Sequence, residues 1–211
     1  MRAIAVCPLY NAPGRKDVTA VFRPEAERYL DVHGGELVVF DNRAPMGARA
    51  DYVMARLFEL GPCDALAFFC HGWPDGIQAG FRRASAARLA TVAPLVVTLY
   101  ACSTAYGLPL GAPGGDGGFA DRLRDELCKA RKTACRVDGH DTKGHATWNP
   151  RVRRFEGAGS PTGGQGGSWI VAPGTALWKR WAAALRTSRR FTFPFRATAE
   201  IHAELAERMV A

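Results

Sequence analysis

Two residues carry chemistry by type and position. His71 follows the apolar run 65–70, and Cys102 follows the apolar run 95–101, 31 residues further along the chain. A thiol becomes an effective nucleophile when a base stands within hydrogen-bond reach and N–H donors face the oxyanion that develops. An imidazole and a thiol at the ends of two neighbouring strands would open into one cleft. Gly72, directly after the imidazole, lets the backbone approach a substrate closely. The N–H groups of Gly72 and Cys102 are therefore the candidate oxyanion donors. Either residue alone would pass for a packed strand-end His or a small buried Cys. The pairing carries the chemistry, with Gly after the His and the small polar Ser103 and Thr104 after the Cys.

The other cysteines are 7, 63, 70, 128 and 135, with no C-x-x-C pair among them. That spacing argues against a zinc ribbon or a disulfide framework, and most of them are expected to be small buried hydrophobes. His140-Asp141 and His145 form a His-x4-His spacing, which is weak as a metal signature. No metal and no cofactor is expected, and His140 is expected to line the cleft wall. The chain holds no G-x-x-x-x-G-K-[ST] phosphate loop, which disfavours NTP hydrolysis.

The elements that must position this pair follow from the apolar pattern. Strands are expected over 3–9, 36–40, 65–70 and 95–101, with helices over 25–33, 48–60 and near 85–90. A Gly/Pro-rich loop over 104–118 leads to a helix from Phe119 to about Arg131. A weaker strand over 133–137 follows, then an extended stretch at 151–155, a late strand at 169–172, and a helical stripe of Leu177, Trp181 and Leu185. Continuous rather than alternating apolar strands imply a sheet covered on both faces. With helices between them, the fold class is α/β: a three-layer α/β/α sandwich with a mostly parallel sheet. In such sheets, sites form beyond the carboxyl ends of the strands, where His71 and Cys102 lie. The expected organisation is one domain over 1–186 and a helical appendage over 187–211 that carries Ile201, Leu205 and Met209 at helical spacing.

Composition narrows the classes. The chain has 211 residues, 47% apolar and 23% charged, which excludes disorder as the main state. No apolar run reaches the roughly 18–20 residues of a membrane span. The first residues lack the apolar stretch and cleavage site of a signal peptide, so a cytoplasmic protein without membrane attachment is expected. The formal net charge is +8, but the basic residues are dispersed. Only Arg151 to Phe155 approaches the interleaved basic and aromatic pattern of a nucleic-acid face, so nucleic acid is not the favoured partner.

The strings Leu66-Ala-Phe-Phe-Cys-His71-Gly72 and Val96-Val-Thr-Leu-Tyr-Ala-Cys102-Ser-Thr104 resemble the caspase-haemoglobinase fold. That group of cysteine peptidases includes caspases, metacaspases, gingipains, separase and the CHAT-type peptidases. The resemblance spans about 36–130 and is strongest over 65–104. Ala101-Cys102-Ser-Thr is nearer the CHAT-type and bacterial forms, and Tyr100 stands where caspases place Gln. The resemblance implies a caspase-like Cys-His dyad, with His71 as general base and acid and Cys102 forming an acyl-enzyme. It also implies protein or peptide substrates, a charged pocket for one dominant residue, and a bacterial or phage source. Asp41, Asp75, Asp138 and His140 are the pocket candidates, with Arg82, Arg83, Arg151 and Arg153 in candidate rim loops. The segment after the catalytic strand carries a processing site in caspases. Here the loop around Asp116 reads more simply as a connection into the next helix.

Two alternatives stand beside this reading. One is a catalytically silent module of the same fold that binds protein or nucleic acid through its basic loops. The other is a different Cys-dependent hydrolase or amidotransferase using His140 or His145, although Tyr-Ala-Cys-Ser-Thr departs from the Gly-x-Cys-x-Gly elbow of the amidotransferases.

Overall fold

The computed structural model describes residues 2–10, 22–131, 134–142, 151–157, 166–180 and 183. In chain order the elements are β1 (Ala3–Pro8), α1 (Phe22–His33), β2 (Gly35–Phe40), α2 (Met46–Leu60) and β3 (Ala65–Phe69). Next come the short β4 (Gly72–Trp73) and β5 (Gly76–Ile77), α3 (Ala86–Ala90), β6 (Val96–Tyr100) and α4 (Phe119–Arg131). The last are β7 (Arg136–His140), β8 (Val152–Glu156) and β9 (Ser168–Trp169). The proposed appendage at 187–211 lies outside the described residues.

One seven-stranded sheet runs β2-β1-β3-β6-β7-β8-β9. The first five of these strands are parallel, and β8 and β9 add antiparallel. Alternation along the strands splits the core in two. Ile4, Val6, Leu66, Phe68, Val97 and Leu99 face α2, α3 and α4, where Val53, Leu57, Leu89, Leu123 and Leu127 meet them. Ala5, Ala67, Phe69 and Tyr100 face α1, against Phe22, Ala26 and Tyr29. Both faces of the parallel strands are thus covered, which is why β1 and β3 are apolar and buried at every position. Each fully buried Phe or Leu here contributes roughly 1.5–3 kcal/mol relative to exposure.

The fold departs from expectation at several points: the late strand expected over 169–172 is only Ser168–Trp169, α1 already includes Phe22, and two further differences bear on the packing. The strand expected over 133–137 begins at Arg136 instead, so Asp138 and His140 lie inside it rather than beyond its end. Its charged positions are tolerable because β8 supplies partners: the Arg154 guanidinium donates to both Asp138 oxygens at 3.0 and 3.4 Å, and Arg136 Nε lies 3.5 Å away. Cys128 and Cys135 are not separate buried thiols but a disulfide with Cα atoms 5.5 Å apart, tying the last turn of α4 to the residue before β7. Among the described residues no helix is long and apolar enough to cross a membrane.

Candidate active site

The strands that carry the predicted pair are neighbours. β3 and β6 pair in parallel from Ala65↔Val96 to Phe69↔Tyr100, and every partner pair keeps the offset of 31 residues that separates His71 from Cys102. The two strands therefore end in step, with His71 two residues past the end of β3 and Cys102 two residues past the end of β6. Phe69 and Tyr100, the last partners, stack with ring centroids 4.4 Å apart and planes 15° from parallel. That stack lies two residues before each site residue and fixes the two strand ends against one another.

Each residue is held by its own set of contacts. The His71 ring meets Phe22, from the start of α1, edge to face at 4.8 Å. The His71 carbonyl accepts the Gln78 N–H at 2.8 Å, and the His71 N–H donates to Gln78 Oε1 at 3.4 Å. The imidazole end of β3 is thereby anchored to the β4–β5 hairpin. Gly72 sits where no side chain fits: a Cβ there would lie 2.8 Å from Ala101 Cβ, 2.8 Å from the Cys102 carbonyl oxygen and 2.9 Å from Thr104 Cγ2. The backbone after His71 and the turn around Cys102 are in close contact.

The turn after Cys102 is strained and pinned. Ser103 has φ 59°, the left-handed region, which costs a non-glycine residue roughly 1–2 kcal/mol. Such strain persists only where surrounding bonds over-determine it. Here the Ser103 N–H donates to the Thr142 carbonyl at 3.2 Å, the Ala105 N–H to the His140 carbonyl at 2.8 Å, and Thr104 Oγ1 to the Ala101 carbonyl at 3.0 Å. Cys102 is thus flanked by the end of β3 on one side and the end of β7 on the other.

Thiol environment separates Cys102 from the rest. Outside the disulfide, Cys7, Cys63 and Cys70 are buried, with Cys63 8% exposed, and Cys102 is the most solvent-accessible cysteine. Burial pushes the Cys7 and Cys70 thiols up to about 12 and Cys63 up to about 11. A thiol held protonated by an apolar surround is a poor nucleophile. Burial also raises the Tyr100 phenol well above its ordinary value, so the ring beneath the site stays neutral.

The remaining predicted residues are dispersed. Asp41 follows β2, with β1 and β3 between it and β6, about 14 Å across three strand spacings. It is exposed and bound by Arg43, whose hydrogen bonds hold its carboxyl below the usual range. Asp75 turns the β4–β5 hairpin and pairs with Arg82 at 3.1 Å in solvent. Asp138 is fully buried among Arg136 and Arg154 and offers nothing to a cleft. His140 is 2% exposed, in ring contact with Tyr100 at 6.4 Å, and so is not a solvent-facing cleft wall. Asp141 is also buried; it accepts Arg151 at 2.8 and 3.3 Å and lies 3.4 Å from Arg153, whose guanidinium stacks on Trp169 at 3.7 Å. His145 lies outside the described residues. Among those described, no group of three His, Cys, Asp or Glu side chains is placed to hold a metal ion.

The chain matches no family model, no curated protein and no solved structure. Phe22 and Gln78, which hold the His71 end, carry no motif of their own, and Thr104 follows Cys102 as a small polar residue with nothing in the sequence to show that it braces the turn. Their part follows only from the fold.

Proposed function

We propose that this chain is a caspase-like cysteine peptidase in which Cys102 and His71 form the dyad. The carrying observation is the shared register offset: the two residues leave adjacent parallel strands in step, at the edge where such sheets build their sites. Cys102 being the most solvent-accessible thiol outside the disulfide supports it. In the first half-reaction His71 takes the thiol proton, Sγ bonds to the scissile carbonyl carbon, and the oxyanion is met by the N–H groups of Gly72 and Cys102. The tetrahedral intermediate collapses as the imidazolium protonates the leaving amine, giving a thioester and the new amino terminus. In the second, His71 takes a proton from water, hydroxide adds to the thioester, and Cys102 leaves and regains its proton. No cofactor enters this sequence.

The test combines labelling and turnover. Iodoacetamide at neutral pH should modify Cys102 and spare Cys7, Cys63 and Cys70. A peptide library should be cleaved by the wild type and by neither Cys102→Ala nor His71→Ala, both melting near the wild type. Cleavage surviving Cys102→Ala would overturn the reading. Full activity in His71→Ala combined with loss in His140→Asn would transfer the base role to β7.

A further inference from the structure

Thr104 is a single side chain wedged among the ends of three strands. It is completely buried. Its Oγ1 donates to the Ala101 carbonyl at 3.0 Å, closing the turn that contains Cys102 and Ser103. Its carbonyl accepts the Ala120 N–H at 2.9 Å, which fastens the same turn to the start of α4. Its Cγ2 lies 2.9 Å from where a Cβ on Gly72 would be, and its Oγ1 lies 2.9 Å from the corresponding point on Gly139. Two glycines thus approach this residue, Gly72 in β4 directly after His71 and Gly139 in β7.

The two halves of the side chain have different work. The hydroxyl bridges the turn in which Ser103 is held at φ 59°, and so opposes relaxation of the segment carrying the thiol. The methyl sets how closely the backbone after His71 approaches that segment. We propose that Thr104 is the positioning residue of the site, fixing the distance and angle between the Cys102 thiol and the His71 imidazole through these two contacts. This rests on the reading of Cys102 and His71 as a dyad. Proton transfer between the two requires hydrogen-bond geometry, which a relaxed turn does not keep.

The experiment compares Thr104→Val, which keeps the packing and loses the donor, with Thr104→Ser, which keeps the donor and loses the methyl. The readouts are the pH–rate profile for iodoacetamide alkylation of Cys102, peptide hydrolysis, and thermal melting. The expected result is a Thr104→Val profile that takes the shape of the His71→Ala profile, with kcat lowered about tenfold or more and KM unchanged. Thr104→Ser should keep the wild-type shape with a smaller loss. If Thr104→Val does not fold, Gly139→Ala presses on the same hydroxyl from β7 and should alter the profile in the same sense. A lowered melting temperature with the wild-type profile and kcat in the folded protein would make Thr104 merely structural and overturn the proposal. Coincident wild-type and His71→Ala profiles would instead remove the dyad itself, and the positioning role with it.

Discussion

Replacing Gly72 with alanine probes the junction on which the site depends. The added Cβ would meet Ala101 Cβ and the Cys102 carbonyl oxygen at 2.8 Å and Thr104 Cγ2 at 2.9 Å, whereas ordinary contact begins near 3.4 Å. Those atoms belong to a segment fixed by hydrogen bonds to Thr142, His140 and Ala120, so it cannot yield freely. Each must retreat by about 0.5–0.6 Å, and overpacking of this kind costs about 1–3 kcal/mol. For a chain of this length that corresponds to a melting temperature lower by about 2–4 °C per kcal/mol. Because the displaced atoms surround Cys102, the effect on chemistry should exceed the effect on stability. Displacement approaching 1 Å costs up to about a hundredfold in rate, so a loss of about ten- to a hundredfold in hydrolysis is expected at temperatures where the variant is folded. Gly47→Ala in α2 is the control. Its Cβ would meet nothing within 4 Å, and it should be neutral or stabilise by up to about 1 kcal/mol. Differential scanning calorimetry and Cys102 alkylation measure the two quantities separately. A Gly72→Ala protein that melts and alkylates like the wild type would refute the close approach of the two strand ends.

Three further outcomes follow from the packing. Asp138→Ala leaves Arg136 and Arg154 facing each other without the carboxylate, and should destabilise by about 3–5 kcal/mol in urea unfolding. Reducing the Cys128–Cys135 bridge, or replacing Cys128 by Ser, opens a ring of sequence separation 7 and should cost about 2 kcal/mol by the loop-entropy argument; unchanged melting in dithiothreitol would contradict it. Burial lowers the His33 imidazole below its ordinary value, so folding favours the neutral ring. The stability this contributes is complete above about pH 6.5 and is lost as pH falls from there through the folded value, and His33→Gln should flatten that decline.

The parallel strands were legible because they are apolar without interruption. A covered sheet demands that pattern, and little else in a chain of this composition produces it. Helix starts were less legible. α1 already includes Phe22, ahead of Pro24, and the Phe22 ring packs in the core beside His71. The start of β7 could not be read from its own residues, since Arg136 and Asp138 look like loop charges until Arg154 arrives from a strand that follows later in the chain. The disulfide was hidden for a similar reason: Cys128 lies in α4 and Cys135 just before β7, and only the packing of α4 against β7 brings them together. Positions of His71 and Cys102 came from local pattern. The contacts that hold them did not, because Phe22, Gln78 and Thr104 act across elements, and even Thr104, two residues after Cys102, shows its partners only in the fold.

The step shared by β3 and β6 also says what the architecture can tolerate. The distance along the chain between the imidazole and the sulfur is incidental, since it is made up largely of the hairpin, α3 and their connections, which could lengthen or shorten at the surface. What cannot change is phase. Deleting one residue inside β3 would bring a different neighbour opposite Cys102 and turn every inward side chain of that strand to the opposite layer. A chain with many more residues in this connection could keep the same placement of the two side chains, while one missing a single residue from the strand could not.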